Sequence, residues 1–135
     1  VRGGALHGTT LDLRDCPDIA PMIALVCAAA EGESVLTGCS RLQLKESNRL
    51  EATAQILTQL GGDVRVENGS LVIHGGRPFH GGAVVDGRHD HRMVMLASAA
   101  ALLSDGAVTV TGTEALAKSW PGYLDTYRAL GGVAR

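Results

Sequence analysis

Apolar residues recur along this chain with two different periods, and the changes between them mark its elements. Residues 5–13 suit a strand. Cys16-Pro17-Asp18 then breaks it and opens a helix, because proline is tolerated in a first turn and Asp18 can serve the exposed N–H groups there. Residues 19–30 are apolar on every face, which predicts a helix covered on all sides. Glu31-Gly32 ends it, and residues 34–38 read as a short strand. Residues 49–60 follow helical spacing, with Leu50, Ala54, Leu57 and Leu60 near one stripe and Glu51, Thr53 and Gln55 off it. Gly61-Gly62 supplies the stop. Two alternating strands then flank an Asn68-Gly69 turn, a hairpin signal. Residues 5–75 therefore read as one βαβαββ unit.

After a loop at 75–82 the scheme starts again. Residues 83–86 are a strand, Asp90 caps an apolar helix at 91–103, residues 107–111 are a strand, and residues 121–130 are an amphipathic helix ended by Gly131-Gly132. Asp12 and Asp86 correspond at an offset of 74 positions, and Leu60-Gly61-Gly62 and Leu130-Gly131-Gly132 at an offset of 70. Repeated units of this size, each too small to stand alone, pack against each other. The second unit, 83–135, has no closing hairpin, so its partner strands are expected from elsewhere in the same gene product or from another chain. That absence, with Val1 rather than Met at the start, points to a fragment.

Composition narrows the class. The chain has 135 residues, enough for one domain with a real core. Its net charge of -2 and pI of about 6.2 argue against a basic nucleic-acid surface, and 3% aromatic residues leave few platforms for stacking bases. The apolar run at 19–30 is too short to span a bilayer and no signal sequence opens the chain, so the expectation is a soluble, cytoplasmic protein without nucleic-acid or membrane partners. Cys16, Cys27 and Cys39 lack a CxxC spacing and read as reduced, buried thiols.

The candidate chemistry lies where local preference fails. Lys45 and Glu46 stand just ahead of a helix with Arg49 in its first turn, although a cation there costs about 0.3–1 kcal/mol against the helix dipole. The pattern recurs: His91-Arg92 opens another apolar helix, and Lys118 stands before Ser119-Trp120-Pro121. An anion held among these cations and helix N-termini would reconcile all of them. Asp18, Lys45-Glu46-Arg49, Asp90-His91-Arg92 and Lys118 each fall where a loop or strand enters a helix, and alignment of the repeats brings these junctions to one rim. Arg49 and Arg92 suit planar carboxylate or phosphate; Lys45 and Lys118 suit a point charge or proton relay. Each residue alone has a plain reading: Asp18 and Asp90 as N-caps, the cations as solvated charges, Trp120 as a packing anchor, and His7, His74 and His80 as surface or loop residues. His89-Asp90-His91 is a poor metal site, because neighbours on a turn point apart. The joint pattern favours function.

Gln43-Leu44-Lys45-Glu46-Ser47-Asn48-Arg49-Leu50 resembles the signature of the 5-enolpyruvylshikimate-3-phosphate synthase (3-phosphoshikimate 1-carboxyvinyltransferase) family. Asp90-His91-Arg92-Met93, residues 117–123, and Asp12-Leu13 through Pro17-Asp18 resemble further blocks of that family, in family order. The resemblance covers nearly the whole chain but only the C-terminal part of the family. It implies an α/β (α+β) enolpyruvyl transferase fold of repeated βαβαββ units, a sheet packed on buried helices, with two units present and the other domain absent. It implies transfer of the enolpyruvyl group of phosphoenolpyruvate to the 5-hydroxyl of shikimate 3-phosphate, with release of phosphate and with no metal or organic cofactor.

By matching position, Asp18 and Lys45 would contact the acceptor and help move the hydroxyl proton. Glu46 would protonate the methylene carbon, with His91 or Asp90 nearby, while Arg49, Arg92 and Lys118 would hold the phosphate and carboxylate of phosphoenolpyruvate and Asp90 would count among the substrate contacts. Gln43, Asn48 and Gly122 depart from the family, which usually has a basic residue, Asp and Asp there. The missing N-terminal part would carry most acceptor contacts, so this chain alone is expected to be inactive. Two rivals stand beside this reading: a relative of UDP-N-acetylglucosamine enolpyruvyl transferase, and a non-catalytic anion-binding module.

Overall fold

Short runs rich in apolar and β-branched residues, bounded by turns, form the strands, and two sheets result. A computed structural model describes residues 3–135; Val1 and Arg2 lie outside the described residues. In the first unit β1 (Thr10–Asp12), β2 (Glu33–Thr37), β3 (Asp63–Glu67) and β4 (Ser70–His74) make a sheet ordered β1-β2-β4-β3. β1 runs parallel to β2, with Asp12 opposite Thr37, whereas β4 is antiparallel to both β2 and β3. In β2, Ser34 and Leu36 point inward and are buried, as the period of two requires. Asn68 and Gly69 both have positive φ, 49° and 73°, so the hairpin turn has the handedness that matches strand twist.

Helices α1 (Ala20–Ala29) and α2 (Arg49–Gln59) pack against this sheet and against α3 (His91–Ala101) of the second unit. Ala20, Ala24 and Ala28, one turn apart and at most 2% exposed, present a small-residue stripe that lets neighbouring backbone approach closely. A single apolar core results, running from Leu36, Leu71 and Ile73 of the sheet through Leu50 and Leu57 of α2 to Met93, Leu96 and Ala97 of α3. The second unit adds β5 (Val84–Asp86) parallel to β6 (Thr109–Thr111), then α4 (Tyr123–Ala129). Among the described residues no helix is long and apolar enough to cross a membrane.

The repeat is visible atom by atom. Asp12 Oδ1 accepts from Arg14 N at 3.0 Å and Asp86 Oδ1 accepts from Arg88 N at 2.8 Å. Leu13 N donates to Thr37 O as Gly87 N donates to Thr111 O, and Gly38 and Gly112 follow with φ of 71° and 72°. The 70-position offset holds at the helix ends, where Gly62 N donates to Leu57 O and Gly132 N to Tyr127 O.

Four expectations are corrected. The strand at 5–13 shrinks to Thr10–Asp12, joined before it by an isolated bridge from His7 to Glu31, and Gly8 lies against the Glu33 backbone where a Cβ would fall 2.0 Å from its oxygen. The helix expected to be covered on all sides leaves Ile19, Met22 and Val26 exposed at 46%, 42% and 47%. Thr53, expected off the buried stripe, is fully buried, because α2 packs on both the sheet and the neighbouring helices. Of the three thiols, Cys27 and Cys39 are buried but Cys16 is exposed; burial, with the charge of Asp12, pushes the Cys39 thiol up.

Candidate functional site

Each junction between loop and helix is built by local chemistry. Pro17 fixes the start of a single 3-10 turn, Pro17–Ile19, which carries Asp18 into α1. A second 3-10 turn, Ser40–Leu44, delivers Lys45 and Glu46 to α2, whose cap is Asn48: its Oδ1 accepts from Glu51 N at 3.3 Å. At α3 the cap is Asp90, accepting from Arg92 N at 3.0 Å. Arg88 and His89 precede it with φ of 54° and 51°, a left-handed pair that swings Asp90 inward.

These junctions meet. Arg49 is 2% exposed and contacts three carboxylates through all of its guanidinium nitrogens: Asp90 Oδ2 at 2.8 Å from Nε, Asp18 Oδ1 at 3.3 Å from Nη1, and Glu46 Oε2 at 2.6 Å from Nη2. Lys45 Nζ lies 3.2 Å from Asp18 Oδ1, and Arg92 reaches the same carboxylate at 3.8 Å and the Asp18 carbonyl at 3.3 Å. Asp18 and Arg92 are themselves repeat equivalents at the 74-position offset. The cluster thus joins residues up to 74 apart in sequence and draws on both units. Three cations balance three carboxylates, so an incoming anion would compete with a carboxylate already in place.

The charges set the acids' behaviour. Burial opposes ionisation of Asp18, but the Lys45 hydrogen bond and the charges of Arg92, Lys45 and Arg49 outweigh it and hold the carboxyl below its ordinary value. Burial likewise opposes ionisation of Asp90, and hydrogen bonds from Arg49, Ser47 and the Arg92 backbone prevail, again lowering it. Asp18 at 44% and Glu46 at 48% side-chain exposure face solvent, whereas Asp90 does not. The first group is placed to meet a solute; Asp90 is placed to hold Arg49.

Two expected site residues stand apart. His91 opens α3 beside the cluster, with a buried Nδ1 that has no hydrogen-bond partner among the described residues. Lys118 ends a 3-10 turn, Thr113–Lys118, is exposed, and forms no ion pair with the cluster among the described residues; its charge acts on Glu114. The side chains of His89 and Asp90 go to separate neighbours, His89 to Glu114 and Asp90 to Arg49. Trp120 is 46% exposed and meets Tyr123 edge-on at 5.5 Å. Sequence reasoning passed over Ser47, whose Oγ donates to Asp90 Oδ2 at 2.8 Å; its place inside the Lys45–Arg49 run was the available signal. A cavity of about 760 Å³ elsewhere, lined by Val94, Leu102, Val110, Leu124 and Tyr127, includes none of the cluster.

Known proteins resemble this chain throughout. The family model for EPSP synthase (3-phosphoshikimate 1-carboxyvinyltransferase) matches residues 1–127. The 3-phosphoshikimate 1-carboxyvinyltransferase of Thermococcus kodakarensis is 43% identical over 130 residues, covering 96% of this chain and 32% of the relative. That of Halorubrum lacusprofundi is 38% identical over 131 residues, covering 97% and 29%. Among solved structures, EPSP synthase from Acinetobacter baumannii superposes with a TM-score of 0.83 at 32% identity, over 96% of this chain and 31% of that one. The enolpyruvyl transferase NikO from Streptomyces tendae superposes with a TM-score of 0.82 at 22% identity, over 99% and 30%, a likeness of fold. The chain spans less than a third of the length of these relatives.

Proposed function

Since this chain belongs to the EPSP synthase family, we propose that it forms one wall of a cytoplasmic active site that transfers the enolpyruvyl (carboxyvinyl) group of phosphoenolpyruvate to the 5-hydroxyl of shikimate 3-phosphate, releasing phosphate. The observation that carries this reading is the meeting of Asp18, Lys45, Glu46, Arg49 and Arg92 from remote parts of the chain in one solvent-facing cluster, three cations with two carboxylates open to a ligand.

The reaction needs what such a cluster offers. The acceptor oxygen bonds to the central carbon of phosphoenolpyruvate while its proton leaves and another proton arrives at the methylene carbon. Loss of a methyl proton then re-forms the double bond as the carbon–oxygen bond to phosphate breaks. Asp18, held ionised at neutral pH, takes the hydroxyl proton with Lys45 beside it. Glu46, exposed at the edge of the cluster, exchanges the proton with carbon, with His91 at the adjoining helix start. Arg49, Arg92 and Lys118 stabilise the negative charge of carboxylate and leaving phosphate, an effect worth several kcal/mol when the cations are preorganised. Lys118 is assigned by its sequence block alone. Asp90, expected as a substrate contact, is here the buried counter-ion of Arg49.

The test joins this chain to the preceding segment of the Thermococcus kodakarensis relative and measures transfer to shikimate 3-phosphate, with UDP-N-acetylglucosamine as the competing acceptor. The hybrid should use shikimate 3-phosphate. Glu46→Gln should chiefly lower kcat and Arg92→Ala should chiefly raise the KM for phosphoenolpyruvate. The unjoined chain should show no turnover, because proximity requires both walls of the cleft. An inactive hybrid, or variants that leave its kinetics unchanged, would overturn the assignment.

A further inference from the structure

We infer that Ser47 and Asp90 form a positioning latch, in which the second repeat fixes the Lys45-Glu46 segment and Arg49 without either latch residue touching substrate. The inference rests on the transfer reaction proposed above, and it begins from the state of the Asp90 carboxylate. Asp90 is fully buried and receives four donors: Arg49 Nε at 2.8 Å and Ser47 Oγ at 2.8 Å on Oδ2, Arg49 Nη2 at 3.1 Å and Arg92 N at 3.0 Å on Oδ1. A carboxylate has about four lone-pair positions. No acceptor capacity and no exposed surface remain for a ligand, so Asp90 can act only through its partners.

Its side-chain partners, Ser47 and Arg49, belong to the segment that carries Lys45 and Glu46 into α2. Residues 45–47 follow the 3-10 turn as irregular chain, and among the described residues no backbone hydrogen bond outside helices and strands ties them down. Their anchors are side chains: Lys45 to Asp18, Glu46 to Arg49, and Ser47 to Asp90. The first two anchors each rest on a half-exposed carboxylate, Asp18 or Glu46, assigned to meet substrate, and they loosen when a ligand competes for them. Ser47 is the anchor that ends on a buried acceptor, 43 positions away in the other repeat. Its bond therefore survives ligand binding and holds Glu46 in place while Lys45 and Arg49 exchange partners. The bidentate grip of Asp90 on Arg49 fixes the plane of the guanidinium and leaves the Nη1 and Nη2 edge toward Asp18 and Glu46.

The test uses the hybrid enzyme described above. Ser47→Ala should lower kcat about 10- to 100-fold while the KM for phosphoenolpyruvate stays within about threefold, because aim rather than charge is lost. Ser47→Thr, which keeps a hydroxyl, should recover most of that rate. Adding Ser47→Ala to Asp90→Ala should cost little beyond Asp90→Ala alone, since the truncation already removes the acceptor of the Ser47 hydroxyl. Hydrogen exchange of the same proteins should quicken in Ser47→Ala at the Glu51 and Ala52 amides, which are held by Asn48 Oδ1 and Asn48 O next to the latch, and stay unchanged inside α3. Parent-like turnover in Ser47→Ala, an effect confined to KM, or multiplying effects in the double variant would overturn the latch. If the hybrid is inactive, the failure belongs to the proposed reaction, and the exchange measurement still decides: unaltered amides at Glu51 and Ala52 would refute the latch.

Discussion

Arg49 shows what a buried charge demands. A guanidinium taken out of water is tolerated here because Asp90 faces it at full burial and Asp18 and Glu46 close its outer edge. Removing the partner of a buried cation destabilises strongly, and Asp90→Asn should cost about 3 kcal/mol, the low end for such a loss because two carboxylates remain. The pH dependence follows from the direction of the shift. Asp90 is lowered from 3.8, so the stability it contributes is complete above that value and is lost as the pH falls below it through the depressed folded value. Urea denaturation of the hybrid protein between pH 7 and pH 2.5 should show an acid limb, and Asp90→Asn should flatten it; an equally steep limb would mean that Asp90 is not the group responsible. The sequence disclosed this site by its misfit, since cations at helix starts contradict the dipole, and the carboxylates explain how the misfit is tolerated. Ser47 stayed hidden because a hydroxyl inside a charged run breaks no rule. Its meaning depends on an acceptor that only the packed repeats bring near.

At the level of elements, turn chemistry decides which predictions hold. Asn68-Gly69 specified its hairpin because both positions need positive φ, and the strands on each side pair without interruption. Position 38 carries a second demand that the sequence does not display. Gly38 has φ of 71°, and a Cβ there would lie 2.4 Å from Asp12 Oδ1 and 2.6 Å from Arg14 N; at Gly69 the nearest atom to a Cβ is Ser40 Cβ at 3.8 Å. Left-handed backbone alone costs a non-glycine residue about 1–2 kcal/mol. Gly69→Ala should therefore lose roughly that amount and Gly38→Ala distinctly more, as read from denaturation midpoints; equal losses would show that the contact at Asp12 relaxes freely. The first strand is shorter than predicted for a related reason: its partner turns at Gly32, φ 88°, so Gly8 N still donates to Glu31 O but Thr9 N meets the Ser34 hydroxyl in place of a backbone carbonyl. The last helix is shorter than its spacing predicts because Trp120-Pro121-Gly122 closes as a turn, Tyr123 N donating to Trp120 O at 3.0 Å, and α4 begins at Tyr123.

Across the whole molecule, what the sequence asks to bury and what the chain itself buries are not the same. Residues 19–30 read as apolar on all faces, yet the α1 stripe of Ile19, Met22 and Val26 stays open while Ala20, Ala24 and Ala28 on the opposite side are sealed against the core. Periodicity reports the need for cover and says nothing of its source, so the helix was legible and its exposed face was not. Contiguous apolar surface of this kind promotes association. The chain by itself should therefore sediment as a mixture that shifts to larger species with concentration. Val26→Glu should move that mixture toward monomer while leaving the denaturation midpoint nearly unchanged, because the position is 47% exposed and substitutions at such sites usually alter stability by less than about 0.5 kcal/mol. In the hybrid the same substitution should behave differently if the joined segment covers α1, because a glutamate would then be buried without a partner and the assembled protein would lose stability. Sedimentation of the chain alone and denaturation of the hybrid, measured on one variant, thus separate a face that is open in both from one that the rest of the protein closes.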